Sequence, residues 1–121
     1  MKLRLATAVA VFVAAAAHIP VIAPHLDEAP YMGVLFIGFT LACLSLGIAI
    51  VVTDRTWAYR SVAAVCGAGV LAYVATRLVA FPQLSDDVGN WWEPLGIASV
   101  LSETLAVVLA FSACRKAGDW S

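Results

Sequence analysis

Four apolar runs, each close to the length of a membrane-crossing helix, leave this chain little freedom for any other architecture. They extend from Leu3 to about Val21, from Pro30 to Val52, from about Ser61 to Phe81, and from Pro94 to Ala113. Each holds about 19 to 23 residues, and a helix needs about 20 to cross the hydrocarbon layer. Pro30 and Pro94 open the second and fourth runs, at the helical position where a missing N–H removes no bond. Pro82 follows the third, where helices often stop. The fold class expected is all-α, a four-transmembrane-helix bundle forming a single membrane domain over residues 1–121.

Composition supports this. Of 121 residues, 63% are hydrophobic and 12% charged, against roughly 45–50% and about 25% in a soluble domain. Seven basic and eight acidic residues cannot cover the large relative surface of so small a domain, so the expected partner of that surface is a lipid bilayer. The net charge of −1 brings no basic excess to bind nucleic acid. Cys43, Cys66 and Cys114 show no C-x-x-C spacing, which argues against a disulfide scaffold. Lys2 and Arg4 before an apolar stretch ending in Ala15-Ala16-Ala17 resemble a signal peptide; the segment is expected to be retained as the first helix.

Charge asymmetry sets the expected topology. Lys2, Arg4, Arg55, Arg60, Arg115 and Lys116, six of the seven basic residues, fall on one side of the four runs. The positive-inside rule makes that side, and both termini, cytoplasmic, as in a multi-pass protein of a bacterial inner membrane. The opposite loops carry Asp27, Glu28, Asp86, Asp87 and Glu93. Tyr31, Trp91 and Trp92 on the outer side, with Trp57 and Tyr59 on the inner, match interfacial aromatic belts. Small residues recur every four positions at Ala64, Ala68 and Ala72, at Ser102, Ala106 and Ala110, and at Gly38 and Ala42; such stripes let helices pack closely in lipid.

Two charges lie deep inside the runs and mark the expected site. Glu103, nine residues past Pro94, is roughly 13 Å deep at about 1.5 Å per residue. Arg77, four residues before the end of its run, is about 6 Å deep on the same scale. A lone charge at mid-bilayer depth is costly and usually faces the bundle interior. The offset of about 7 Å lets Arg77 and Glu103 form an ion pair, with Tyr73, Ser99 and Ser102 completing a polar network. The blander readings are that Arg77 snorkels to the headgroups and that Glu103 is a hydrogen-bonded structural clamp. On the first helix Thr7, Val11, Ala14, His18, Val21 and His25 form one stripe, provided the helix continues through Pro20 and Pro24. Imidazole and carboxylate groups at His18, His25 and Glu28 are candidate ligands for a divalent metal ion, although their spacing matches no metal motif. Haem is disfavoured, because His18 and His25 lie about 10 Å apart on one helix and cannot clamp one iron from two sides. Neither a Gly-x-Ser-x-Gly nor a phosphate-cradling glycine loop occurs, which points away from an enzyme; Gly67-Ala68-Gly69 reads as close packing.

His25-Leu26-Asp27-Glu28-Ala29-Pro30 with Gly33-Val34-Leu35-Phe36, and Thr76-Arg77-Leu78-Val79-Ala80-Phe81-Pro82 with Glu103, resemble patterns in an uncharacterised family of small four-span bacterial membrane proteins. The resemblance implies that His25, Glu28, Arg77 and Glu103 belong together and lends no activity. Small multidrug transporters are similar in size but carry their glutamate in the first helix. Small fluoride channels carry a Gly-rich segment and a polar asparagine that this chain lacks.

The function expected is a membrane-embedded protein whose outward-opening polar pocket binds a cation, metal ion or small solute, with proton-coupled transport as one form of that role. The rivals are an accessory subunit docked on a larger membrane partner or on copies of itself, and a redox protein holding haem or quinone.

Overall fold

In a computed structural model, residues 2–116 are described and form four helices: α1 (Lys2–Glu28), α2 (Pro30–Thr53), α3 (Thr56–Leu78) and α4 (Pro94–Lys116). All four are long and apolar enough to cross a membrane. They run up, down, up and down. The tight joins at Ala29 and at Asp54-Arg55 force successive helices to be antiparallel neighbours, and α4 returns to pack along α1. Both ends of the described chain therefore lie at one end of the bundle, here the near end. The segment of residues 79–93 lies at the far end. Among neighbouring pairs, α2 and α3 touch least.

The second and fourth helices begin at the prolines, as expected. The first does not end near Val21. It continues through Pro20 and Pro24 to Glu28. Each proline removes one N–H from the ladder, but unwinding an apolar segment would strand many more backbone groups than those two. Beyond the prolines the backbone remains bonded, with Ala29 N–H donating to His25 O. The third helix is shifted toward its N-terminus relative to the expected 61–81. It starts at Thr56, directly after Asp54 closes α2 in a left-handed conformation (φ 51°), and it stops at Leu78 because Val79 is already extended ahead of Pro82.

The core is built from small side chains. Ala14, Ala58, Ala106 and Ala110 are fully buried with Val11, Ile50, Val62, Cys43 and Cys66, so the helices approach closely through dispersion contacts. Phe12 of α1 lies flat on the backbone of Gly47 in α2, where any Cβ would meet the ring at 2.5 Å. Cys43 of α2 and Cys66 of α3 are both sealed within this core. The Ser102, Ala106, Ala110 stripe packs inward as expected. The Ala64, Ala68, Ala72 stripe does not: all three are exposed, and Gly38 meets nothing within 4 Å. Spacing identifies a small-residue face but not the direction it points. The outer surface carries large apolar side chains such as Leu71, Val52, Val34 and Leu101, a boundary suited to acyl chains rather than water.

Candidate functional site

At the far end the loose meeting of α2 and α3 leaves a partly open cavity of about 570 Å³ bounded by all four helices and by the 79–93 segment. Its position follows from the two faces that frame it. On α1, the predicted stripe holds: Thr7, Val11, Ala14 and His18 are buried, Val21 and His25 half-buried, and the last three of the far-end positions (His18, Val21, His25) face the cavity. On α3, Ala68 and Ala72 present no side chain large enough to fill the space.

The two imidazoles are held alike. His18 Nδ1 lies 2.8 Å from Ala14 O and His25 Nδ1 lies 2.8 Å from Val21 O, each one turn back along the helix. A carbonyl oxygen only accepts, so each Nδ1 carries the hydrogen, and whenever the ring is neutral Nε2 is its acceptor. Phe36 stands between them, with ring centroids 5.1 Å from His18 and 4.7 Å from His25, both edge-to-face. Phe39 packs on His18 at 4.5 Å. Neither phenylalanine was expected at the site. Their i, i+3 spacing on α2 and the place of Phe36 beside the quoted His25–Pro30 pattern were the available signals.

Arg77 is nine-tenths buried, and it does not reach Glu103. Its Nε–H donates to Asn90 O at 2.9 Å and its Nη1 to Thr76 Oγ1 at 2.9 Å. Nη1 also lies 3.6 Å from Asp87 Oδ2, and the guanidinium carbon stands 4.2 Å from the centre of the Tyr73 ring. The expected Arg77–Glu103 ion pair is thus replaced by a clamp on the 79–93 segment, reinforced by Gly89 N–H donating to Arg77 O at 2.9 Å. Nor does Arg77 snorkel. The physical reason is that the segment folds back over the bundle and brings acceptors closer than the carboxylate one helix away. Tyr73 belongs to the same clamp: its hydroxyl donates to Trp91 O at 2.9 Å. At the opposite edge Tyr31 donates to Pro82 O at 2.7 Å, and Leu84 is buried with Ala29 and Met32.

Glu103 lies beneath the cavity floor and is 1% exposed. Ser99, one turn above it on α4, donates to Oε2 at 2.6 Å. Oε1 has no hydrogen-bond partner and sits directly against Gly69 of α3, in the space a Cβ would need. Leaving a buried acceptor unmet costs about 1–3 kcal/mol, so this oxygen is an energetic liability that the fold retains. Ser102, the other expected network member, turns away and donates to Ser99 O at 2.9 Å. Ser99 also comes 3.5 Å from His18 Nε2.

The acidic residues of the far end divide. Asp87 and Glu93 border the cavity, whereas Glu28 is exposed at the end of α1 and is not part of its lining. Glu93 serves α4 as its N-terminal cap, accepting from Leu95 N–H at 3.2 Å and Gly96 N–H at 2.6 Å. Among the described residues no group of three or more His, Cys, Asp or Glu side chains is placed to hold a metal ion; His18, His25 and Glu28 are not brought together. What the arrangement offers is a mostly apolar, aromatic chamber with a few directed polar atoms, the usual make-up of a small-molecule site.

No protein-family model matches the chain, and neither a curated protein nor a solved structure shows significant similarity to it. The resemblance read from its short motifs gains no support from these comparisons.

Proposed function

We propose that this chain is an integral membrane protein, with both termini on the cytoplasmic side, that binds an amphipathic small molecule in the far-end cavity. The observation that carries the reading is the cavity itself: about 570 Å³ bounded by all four helices, with His18, His25 and Arg77 in a largely aromatic and aliphatic lining. Cavities of roughly 300–1,000 Å³ with that balance are typical ligand sites. Support for the orientation comes from the basic residues gathered at the near end and the acidic residues at the far end. The cavity then opens on the outer side. Relative to the sequence expectation, the ligand changes in character: a small organic molecule fits this lining better than a bare metal ion.

The test is to purify the chain in mild detergent, extract what travels with it, and identify the extract by mass spectrometry. Ala72→Trp serves as the control, since it places an indole in the cavity from an exposed position on α3. A molecule present with the native chain and absent from the folded variant supports the proposal. Equal recovery from both rejects it. A stoichiometric second protein in place of a small molecule favours the accessory-subunit reading.

A further inference from the structure

We infer that the molecule taken by this cavity is an organic cation, an amine or ammonium group on an apolar body. The inference rests on the proposed binding role and adds the chemical class of the ligand.

Hydrogen-bonding capacity points this way first. His18 and His25 direct their Nδ1 hydrogens to helix carbonyls and border the cavity, so a neutral ring has only its Nε2 acceptor left to offer a ligand. Ser99 Oγ donates to Glu103 Oε2 at 2.6 Å, so its longer 3.5 Å approach to His18 Nε2 leaves that nitrogen, when the ring is neutral, with room for a stronger donor. His18 is nine-tenths buried. The hydroxyl hydrogens of Tyr31 and Tyr73 are likewise spent on Pro82 O and Trp91 O. A ligand that brings donors satisfies these atoms; one that brings only acceptors does not.

Charge points the same way. The lining holds one guanidinium, Arg77, against two carboxylates, Asp87 and Glu93. Arg77 lies 3.6 Å from Asp87 and its face rests on Tyr73, so these two charges offset each other and Glu93, which caps α4, is the excess charge of the lining. Asp27, Glu28 and Asp86 add negative charge around the far end, a field that concentrates cations near that end of the bundle. Tyr31, Phe36, Phe39, Tyr73 and Phe81 complete the lining, and the faces of such rings attract alkylammonium groups, more strongly where water is excluded. An anionic ligand would instead displace none of these acceptors and would sit beside Asp87 and Glu93.

The experiment uses three probes with one apolar body: phenylbutylamine, phenylbutanol and phenylbutyrate. Each is titrated calorimetrically into the full chain in phosphatidylcholine nanodiscs, with empty nanodiscs as the blank. The amine should bind about tenfold tighter than either other probe. Asp87→Asn, which removes the half-buried carboxylate beside Arg77, should weaken the amine about fivefold while leaving phenylbutyrate equal or improved. An alcohol as tight as the amine, or a tighter carboxylate, overturns the cationic class and leaves the cavity reading standing. If none of the three binds and the Ala72→Trp variant behaves identically, both readings fall.

Discussion

Glu103 of α4 rests against the backbone of Gly69 in α3 so closely that the carboxyl oxygen Oε1 fills the volume a Cβ at position 69 would need. The glycine is there for its missing side chain, not for backbone freedom, since residue 69 is helical. Gly69→Ala should therefore force the carboxyl or the helices apart and cost about 1–3 kcal/mol. The same substitution in a Glu103→Ala background should cost much less. Denaturant titration in detergent reads both. Additive losses would show that the two residues do not share that space.

Arg77 and Glu103, both buried in the bundle, should be energetically independent. A double-mutant cycle with Arg77→Gln and Glu103→Gln should return a coupling within about 0.5 kcal/mol of zero. The cycle of Arg77→Gln with Asp87→Asn should exceed that value, and Arg77→Gln alone should raise amide exchange at Gly89, whose N–H is bonded to Arg77 O. A large coupling between Arg77 and Glu103 would mean that the guanidinium reaches the carboxyl group instead of the far-end segment.

Glu93 caps α4 through two backbone N–H groups. Glu93→Ala should lower stability by about 1 kcal/mol, as loss of an N-terminal cap usually does, and Glu93→Gln, which keeps an acceptor oxygen, should lower it less. Equal losses for the two variants would assign the residue a purely electrostatic role.

Cys43, Cys66 and Cys114 are all buried and form no disulfide. None should react with a membrane-permeant maleimide until the bundle opens. A cysteine introduced at position 72 (Ala72→Cys), on the cavity lining, should label in the folded protein. Prompt labelling of Cys43 or Cys66 in the native bundle would contradict the sealed core beneath the cavity.

Much of the fold was legible because its determinants are local. Run length set the number of helices, and Pro30 and Pro94 marked two of their starts. The stripe from Thr7 to His25 identified the inward face of α1, since its 3-4 spacing survives the prolines. What failed were inferences that needed azimuth rather than depth. Axial position placed Arg77 within reach of Glu103, but whether they meet depends on rotation about each helix and on the path of residues 79–93, which no periodicity encodes. The stripe at Ala64, Ala68 and Ala72 misled for the same reason: small residues permit close packing, and they equally leave a void. Gly69 is the intermediate case, read as a packing glycine without any sign that its neighbour is a carboxyl group.

The fastening of the far-end segment by Arg77, Tyr73 and Tyr31 has a consequence for access. With that end stitched down, the gap between α2 and α3, edged by the exposed Leu35, Ala68 and Ala72, is the natural door. On the proposed reading, a guest entering there arrives sideways from the bilayer, so its occupancy rises with its partition into the lipid.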